Sequence, residues 1–185
     1  MSRFSYALAA IISIYLTAPT LSAQASDEEL KGAPPVRMDT PSGLPVPRFV
    51  SFKSDRTNCR LGPSFDHPVV AVFLRAGAPV DVVAETTDHW RKVRDQDGLE
   101  CWVHQSTLRA VTHVLVLREV EIRTQPEDAA PATARLAEGV LARLLRSKRA
   151  WSLVSTDGVR GWARSEHLWG VSRAAAVSPV LSSRN

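Results

Sequence analysis

Cys101 stands three residues before His104, in the run Cys101-Trp102-Val103-His104. A thiol and an imidazole at that spacing have the types of a nucleophile and its general base, so a small thiol hydrolase is the first chemistry to consider. Adding Cys59 and His67 gathers the residue types that hold zinc. Neither chemistry has the pattern it needs. No Asn or Asp signature accompanies the Cys-His pair, and no two of the zinc candidates form a tight pair such as Cys-x-x-Cys. The carboxylates of Asp95, Asp97 and Glu100 crowd around an Asp-Gly dipeptide, where Asp serves turn geometry. The chain is therefore expected to carry no catalytic residue, no metal site and no cofactor.

Tryptophan is the better lead. In Trp90-Arg91-Lys92-Val93-Arg94 a strand's alternation puts Trp90, Lys92 and Arg94 on one face and Val93 on the other. With Val93 inward, Trp90 stays at least partly at the surface, where an amphipathic ring makes a good anchor. Its rival role is to cover a barrel end or the boundary with a neighbouring domain. A binding site on this face takes Phe65, His89 and Arg91 as its margins, in a shallow groove between the loop from Gly62 to Pro68 and the loop from Glu85 to Trp90. The basic cluster Arg143, Arg146, Lys148 and Arg149 beside Trp151 has the composition of an anion-binding patch, but a solvated face explains it as well. A formal charge of +4 is too mild for a nucleic-acid specialist.

The elements that position these residues come in two copies. Asp97 to Leu108 (DGLECWVHQSTL) returns as Asp157 to Leu168 (DGVRGWARSEHL). Upstream, Asn58 to Pro63 aligns with Glu121 to Pro126, Gly77 with Gly139, Trp90 with Trp151 and Trp102 with Trp162. The offset shrinks stepwise along the chain, as single deletions in the turns of a tandem duplication would make it do. Val69 to Val83 is β-branched around Gly77 and Pro79 and reads as strand, turn, strand; its partner Ala132 to Leu145 reads as a helix on its own. One shared fold makes both copies strands. Asp-Gly at 97–98 and at 157–158 closes a hairpin in each copy, both residues tolerating positive φ. Each copy is thus a small all-β barrel of short strands.

The only cysteines, Cys59 and Cys101, both fall in the first copy, opposite Ile122 and Gly161 in the second. The implied arrangement is a disulfide that replaces an apolar contact, with two buried thiols or a zinc site as the rivals.

Ahead of the copies, Arg3, an apolar run from Phe4 to Ala18 and Ala23-Gln24-Ala25 before acidic residues have the form of a signal peptide spanning 1–25, cleaved after Ala25. The run falls short of the ~20 residues a spanning helix needs, so no stable membrane insertion is expected after cleavage. No Cys lies at the cleavage site to take a lipid. Residues 26–48, with Pro34, Pro35, Pro41, Pro45 and Pro47, are expected to form a disordered Pro-rich linker, and 172–185 a flexible tail. The mature protein would be periplasmic or secreted, where disulfides persist.

Arg-x-Gly-Pro, Gly-x-Pro-Val, Trp-x-x-Val-Arg, Asp-Gly and Trp-Val before a closing Leu, in that order and echoed in the second copy, resemble the bacterial SH3-like (SH3b) domains. The second copy departs from the pattern at Gln125-Pro126 and lacks the Pro after Gly139. The resemblance implies two tandem SH3-like barrels, at 49–110 and 111–171, and a non-catalytic module that binds cell-wall peptide or glycan, or a wall-associated protein. It also places Trp90 where a ligand-stacking Trp stands in SH3-like folds. Two other readings remain: a structural interaction protein that recruits a separate envelope enzyme, and a Cys101-dependent hydrolase.

Overall fold

A computed structural model of the chain describes residues 35–172. The expected signal peptide, residues 26–34 of the linker and the tail beyond Ser172 lie outside them. The first repeat consists of β1 (Arg48–Phe52), β2 (Thr57–Arg60), β3 (Val69–Phe73), β4 (Pro79–Glu85), β5 (Trp90–Arg94), β6 (Glu100–His104) and β7 (Leu108–Ala110). The second consists of β8 (His113–Val116), β9 (Val120–Arg123), β10 (Ala132–Leu136), β11 (Leu141–Lys148), β12 (Trp151–Thr156), β13 (Val159–Arg164) and β14 (Leu168–Trp169). One turn of 3-10 helix precedes the last strand of each. Each repeat is a seven-stranded antiparallel sheet, ordered β3-β2-β6-β5-β4-β1-β7 and β10-β9-β13-β12-β11-β8-β14. The orders are identical position by position, so the duplication seen in the residues is a duplication of topology. The fold is all-β, two tandem SH3-like domains.

Each sheet curls over one core. Phe52 of β1 stacks on Phe73 of β3 with ring centroids 4.6 Å apart, although those strands lie near opposite ends of the order. Inward positions alternate as a two-residue period requires: Val80, Val82, Val93 and Val103 are buried in the first repeat, with Ala142, Val154 and Ala163 at matching positions of the second. The helix-like Ala132 to Leu145 forms β10, a turn at Gly139 with φ 78°, and β11, so packing overrides local propensity there. The two hairpins differ. At 157–158 both residues have positive φ, as expected, whereas in the first repeat only Gly98 does. There the Asp95 carboxylate accepts the N–H groups of Asp97 and Leu99 and holds a longer loop. The last step in the repeat offset falls in this loop.

The seam between β2 and β6 is the thin place in the ladder, held by the single pair Arg60–Trp102; in the second repeat Arg123–Trp162 is likewise the only pair between β9 and β13. Side chains reinforce it. Cys59 and Cys101 are disulfide-bonded, with Cα atoms 5.7 Å apart, which removes the free-thiol and zinc alternatives. In the second repeat Ile122 fills the same space, and a Cβ on Gly161 would lie 2.9 Å from the Ile122 Cβ and 3.1 Å from the Arg123 carbonyl oxygen. Glycine is required there because isoleucine occupies the room of the disulfide.

The Pro-rich segment departs from expectation. Its described part is tied to the first repeat: Arg37 and Val46 exchange backbone hydrogen bonds of 2.7 and 2.9 Å, and Val46, 2% exposed, belongs to the core. Glu85, its side chain fully buried, pairs with Arg48 and lies 3.1 Å from the Arg91 Nε. It also accepts the Ser42 N–H at 3.1 Å. Polar anchors of this kind leave no hydrophobic period in the sequence, so composition alone suggested a linker. The repeats meet through Phe49 edge-on to Trp169 at 4.9 Å, the Trp169 Nε1–H donated to the Pro79 carbonyl, and the Thr112 N–H donated to the Ser51 hydroxyl.

Two outcomes follow from these anchors. Closing a loop across a separation of 42 residues stabilises the native state by about 4 kcal/mol in the chain-entropy model, comparable to burying two valines. A Cys59→Ser/Cys101→Ser variant should lose about 2–4 kcal/mol of unfolding free energy in denaturant titration. Cys59→Ile/Cys101→Gly, which transplants the second repeat's solution, should regain part of it. Full stability in the Ser variant would show that the bridge contributes nothing.

The second outcome concerns acid. Burial by itself raises the Glu85 pKa, but hydrogen bonds from Ser42 and Arg48 and the Arg48 charge outweigh it and hold the carboxyl below its ordinary value of 4.5. A depressed folded-state pKa gives stability that is complete above the ordinary value and lost as pH falls through the folded one. Stability should therefore decline on acidification below about pH 4.5. Glu85→Gln should remove that part of the decline and cost about 3 kcal/mol at neutral pH by leaving two arginines uncompensated. Acid titrations of both proteins by circular dichroism measure the difference.

Candidate functional site

The loop from Leu61 to Pro68, between β2 and β3, is built before any ligand arrives. The Leu61 N–H donates to the Pro68 carbonyl at 3.0 Å, the Asp66 N–H to the Ser64 hydroxyl at 3.1 Å, and Arg60 Nη1 to the His67 carbonyl at 2.7 Å. Gly62 allows the loop to close: a Cβ there would lie 2.3 Å from the His67 Nε2. The loop carries Phe65 outward, 68% exposed.

Phe65 meets Trp90 edge to face at 4.9 Å and the His104 ring at 5.7 Å. Trp90 and His104 are register partners on β5 and β6, with ring centroids 5.5 Å apart. The Arg60 guanidinium stands 5.6 Å over the Phe65 ring. Arg60, Phe65, Trp90 and His104 line a groove of about 280 Å³. Arg56 lines it as well, and an aromatic groove with two arginines in its lining can stack a flat or apolar group and pair with an anion beside it.

Three of the four residues expected to bind ligand come together here. Phe65 and Trp90 touch; His89 sits exposed at φ 67°, its ring 6.4 Å from that of His104. Trp90 faces outward with Lys92, as alternation requires, yet is only 5% exposed because Phe65 and His104 cover it. The expectation of a partly exposed indole is corrected accordingly. Arg91 is not at the margin of this groove. It faces inward with Val93 by the same period and is 5% exposed, with Nη2 donating to the Gln105 Oε1 at 2.8 Å and Nε on Glu85. Burial draws its pKa down, Glu85 raises it and Arg48 lowers it. Arg91 lines instead, with Leu44, Arg48, Phe49 and Leu108, a separate recess of about 470 Å³ beneath the Pro-rich segment.

His104 and Arg60 were missed from sequence. Counting back across the β5–β6 hairpin from Trp90 to its register partner would have found His104. No local signal marks Arg60, which comes close only because the 61–68 loop folds back. Cys101, the candidate nucleophile, is held in the disulfide.

The second repeat builds the same loop to a different end. The Thr124 N–H donates to the Pro131 carbonyl as the Leu61 N–H does to that of Pro68. Asp128 stands in the place of Phe65 and Arg164 in that of His104. They pair with each other, and the Arg164 guanidinium lies 4.5 Å from the Trp151 ring centroid. An ion pair occupies the position of the aromatic groove.

The sequence compares with known proteins as follows. A family model described as "Bacterial SH3 domain" matches residues 53–110 and again 117–170. A search of curated proteins finds no match. Among solved structures, the chain is similar to NlpC2 from Trichomonas vaginalis at 12% identity and a TM-score of 0.31, covering 66% of this chain and 48% of that one. It is similar to NlpC1 from the same organism at 13% identity and a TM-score of 0.29, covering 66% of this chain and 45% of that one. The chain thus spans about half the length of those proteins, at a likeness that says nothing of activity. Each family match covers six of the seven strands of one sheet, β2 to β7 and β9 to β14, and the chain belongs to the bacterial SH3 domain family as a tandem pair.

Proposed function

We propose that the protein is an exported, non-catalytic adaptor that recognises cell-envelope material, a peptidoglycan peptide or a wall-associated protein, through the groove of Phe65, Trp90 and His104. The observation that carries this reading is Phe65, a large apolar ring held out in solvent by a loop whose own hydrogen bonds fix it. A preformed loop and rigid rings lower the ordering cost of binding, so a shallow groove can hold a short ligand at micromolar strength. Membership in a family of binding modules supports the reading. So does the disulfide, which takes the candidate thiol nucleophile out of use. Among the described residues no helix is long and apolar enough to cross a membrane. The second reading, recruitment of a separate envelope enzyme, draws support from the apolar recess at Leu44, Phe49 and Leu108, which is larger than the aromatic groove.

Sedimentation with purified sacculi, with wall peptides as competitors, tests the ligand. Phe65→Ala should weaken binding by about tenfold or more while the protein still unfolds cooperatively with a melting temperature lowered by no more than about 5 °C, the loss of one edge-to-face contact with Trp90. Asp128→Ala, at the matching place in the second repeat, should leave binding unchanged. Trp90→Ala is a test of the fold instead, since the indole is buried. Wild-type affinity in Phe65→Ala would move the site elsewhere, with the Arg91 recess next.

Export has its own test. N-terminal sequencing of the protein from the periplasm or medium should begin at Ser26. Recovery of an intact Met1 in the membrane fraction would replace export by anchoring.

A further inference from the structure

The outward face of β11, β12 and β13 can be followed from strand to strand. Arg143 stands opposite Ser155, and Ser155 opposite Arg160. In the next row Arg146 is opposite Leu153, Leu153 opposite Trp162, and Trp162 opposite Arg123 on β9. A third row sets Lys148 opposite Trp151 and Trp151 opposite Arg164. Directly opposed residues share a face, so six cations stand on this one and no carboxylate stands in its three rows. Two are answered from beside the rows, Arg123 by Glu121 at 2.9 Å and Arg164 by Asp128 at 3.1 Å. Arg143, Arg146, Arg160 and Lys148 form no ion pair among the described residues; Arg146 lies 5.1 Å from the Trp162 ring centroid.

The same face of the first repeat serves as a control. There Asp81 is opposite Arg94 and Arg94 opposite Glu100, with Arg94 paired to Asp81 and both Lys92 and Arg94 to Glu100. Matched by register, Arg143 replaces Asp81 and Arg160 replaces Glu100. Two acidic positions have become basic, and a neutralised face has become a cationic one. A groove of about 620 Å³ opens on one side of it, lined by Arg146, Leu153, Arg160 and Trp162 of the rows and by Thr124 and Thr133 beside them, against about 280 Å³ for the aromatic groove; Arg143 and Lys148 stand on the face outside that groove.

The geometry limits the ligand. Neighbouring strands are about 4.8 Å apart, so the backbones carrying Arg143 and Arg160, two strands apart, are separated by roughly 10 Å. Two arginine side chains at that spacing can converge on one phosphate or carboxylate, but the four unpaired cations are spread over three rows, beyond the reach of a single anion. Repeated anions along a chain are needed to engage the whole set. A bilayer is a poor match, because docking on lipid uses protruding apolar side chains, and here Leu153 and Trp162 lie in the groove with arginines around them. An acidic peptide cannot dock by strand addition, because β12 and β13 are internal strands whose N–H and C=O groups are already paired. A sugar ring brings an apolar face for half-buried Leu153 and the edge of Trp162 left exposed beside Arg146, and carries its charge at the edge.

We infer that the outward face of β11, β12 and β13 is a second binding site, for a linear acidic glycan bearing anionic groups on successive sugars. The site does not depend on the Phe65 groove.

Calorimetric titration of the full chain with polygalacturonate fragments tests it. Affinity should climb with fragment length, a dodecamer binding at least about tenfold more tightly than the monosaccharide, and should weaken as salt rises from about 0.05 to about 0.5 M. Arg143→Gln/Arg160→Gln should lose about tenfold, as two exposed charge pairs would, without a change in melting temperature. Phe65→Ala should bind the glycan as wild type does, so failure here and failure of the wall-ligand reading can be told apart. The inference is overturned if the double variant keeps wild-type affinity, if the monosaccharide binds as well as the dodecamer, or if polyglutamate or phosphatidylglycerol vesicles bind as tightly as the glycan.

Discussion

The contact between the second and sixth strands of each repeat is what the rest of the structure hangs on. Backbone pairing across that seam is a single residue pair in both copies, too little to hold a curled sheet of short strands together. In the first repeat a covalent bond holds it, and in the second an isoleucine packed on a glycine does. The seam also brings the 61–68 loop, which leaves β2, against Trp90 and His104 on β5 and β6. Without it Phe65 has nothing to lie on. The disulfide thus has no chemistry of its own and reinforces the seam on which the aromatic groove is built.

Alternation divides the labour between the two sides of each strand. Most inward positions answer to one core and have stayed apolar in both copies, as Val80 with Ala142 and Val93 with Val154 illustrate, while inward Arg91 is matched by buried Ser152. Outward positions beside the retained Trp90–Trp151 and Trp102–Trp162 pairs answer to nothing shared, and they diverged. Phe65 and His104 gave an aromatic groove in one repeat. Asp128 and Arg164 gave an ion pair over Trp151 in the other. The second copy is consequently no weaker version of the first; it keeps the loop and the tryptophan while replacing the surface that would contact a ligand.

Much of this was legible in the residues because the chain states its fold twice. The duplication turned Ala132 to Leu145 from an apparent helix into two strands, and it paired Cys59 with Cys101 by showing what stands opposite them. Three things were not legible, each for a physical reason. Arg91 was assigned to the Trp90 groove by sequence adjacency, whereas a period of two sends neighbours to opposite sides, and its charge is accommodated at the end of the core by Glu85 and Gln105. The burial of Trp90 depends on a loop closing over it from a distant strand, which no local pattern encodes. The Pro-rich segment holds on through Val46 and the hydrogen bonds of Ser42 and Arg37, and anchors so sparse look like a linker in composition.

Charge was misleading for a related reason. A formal +4 summed over the whole chain hides how the charges are distributed, because the second repeat's acids pair with Arg123, Arg135 and Arg164 and leave Arg143, Arg146, Lys148 and Arg160 without an ion-pair partner among the described residues. Asp81 and Glu100 neutralise Lys92 and Arg94 on the first repeat, at the positions that Arg143 and Arg160 occupy on the second. Screening limits attraction between exposed charges to about 8–10 Å at ordinary ionic strength, so a polyanion near the second repeat feels the local rows and little of the total. Net charge constrains solubility. Recognition follows the rows, and only the strand register shows which residues stand in them.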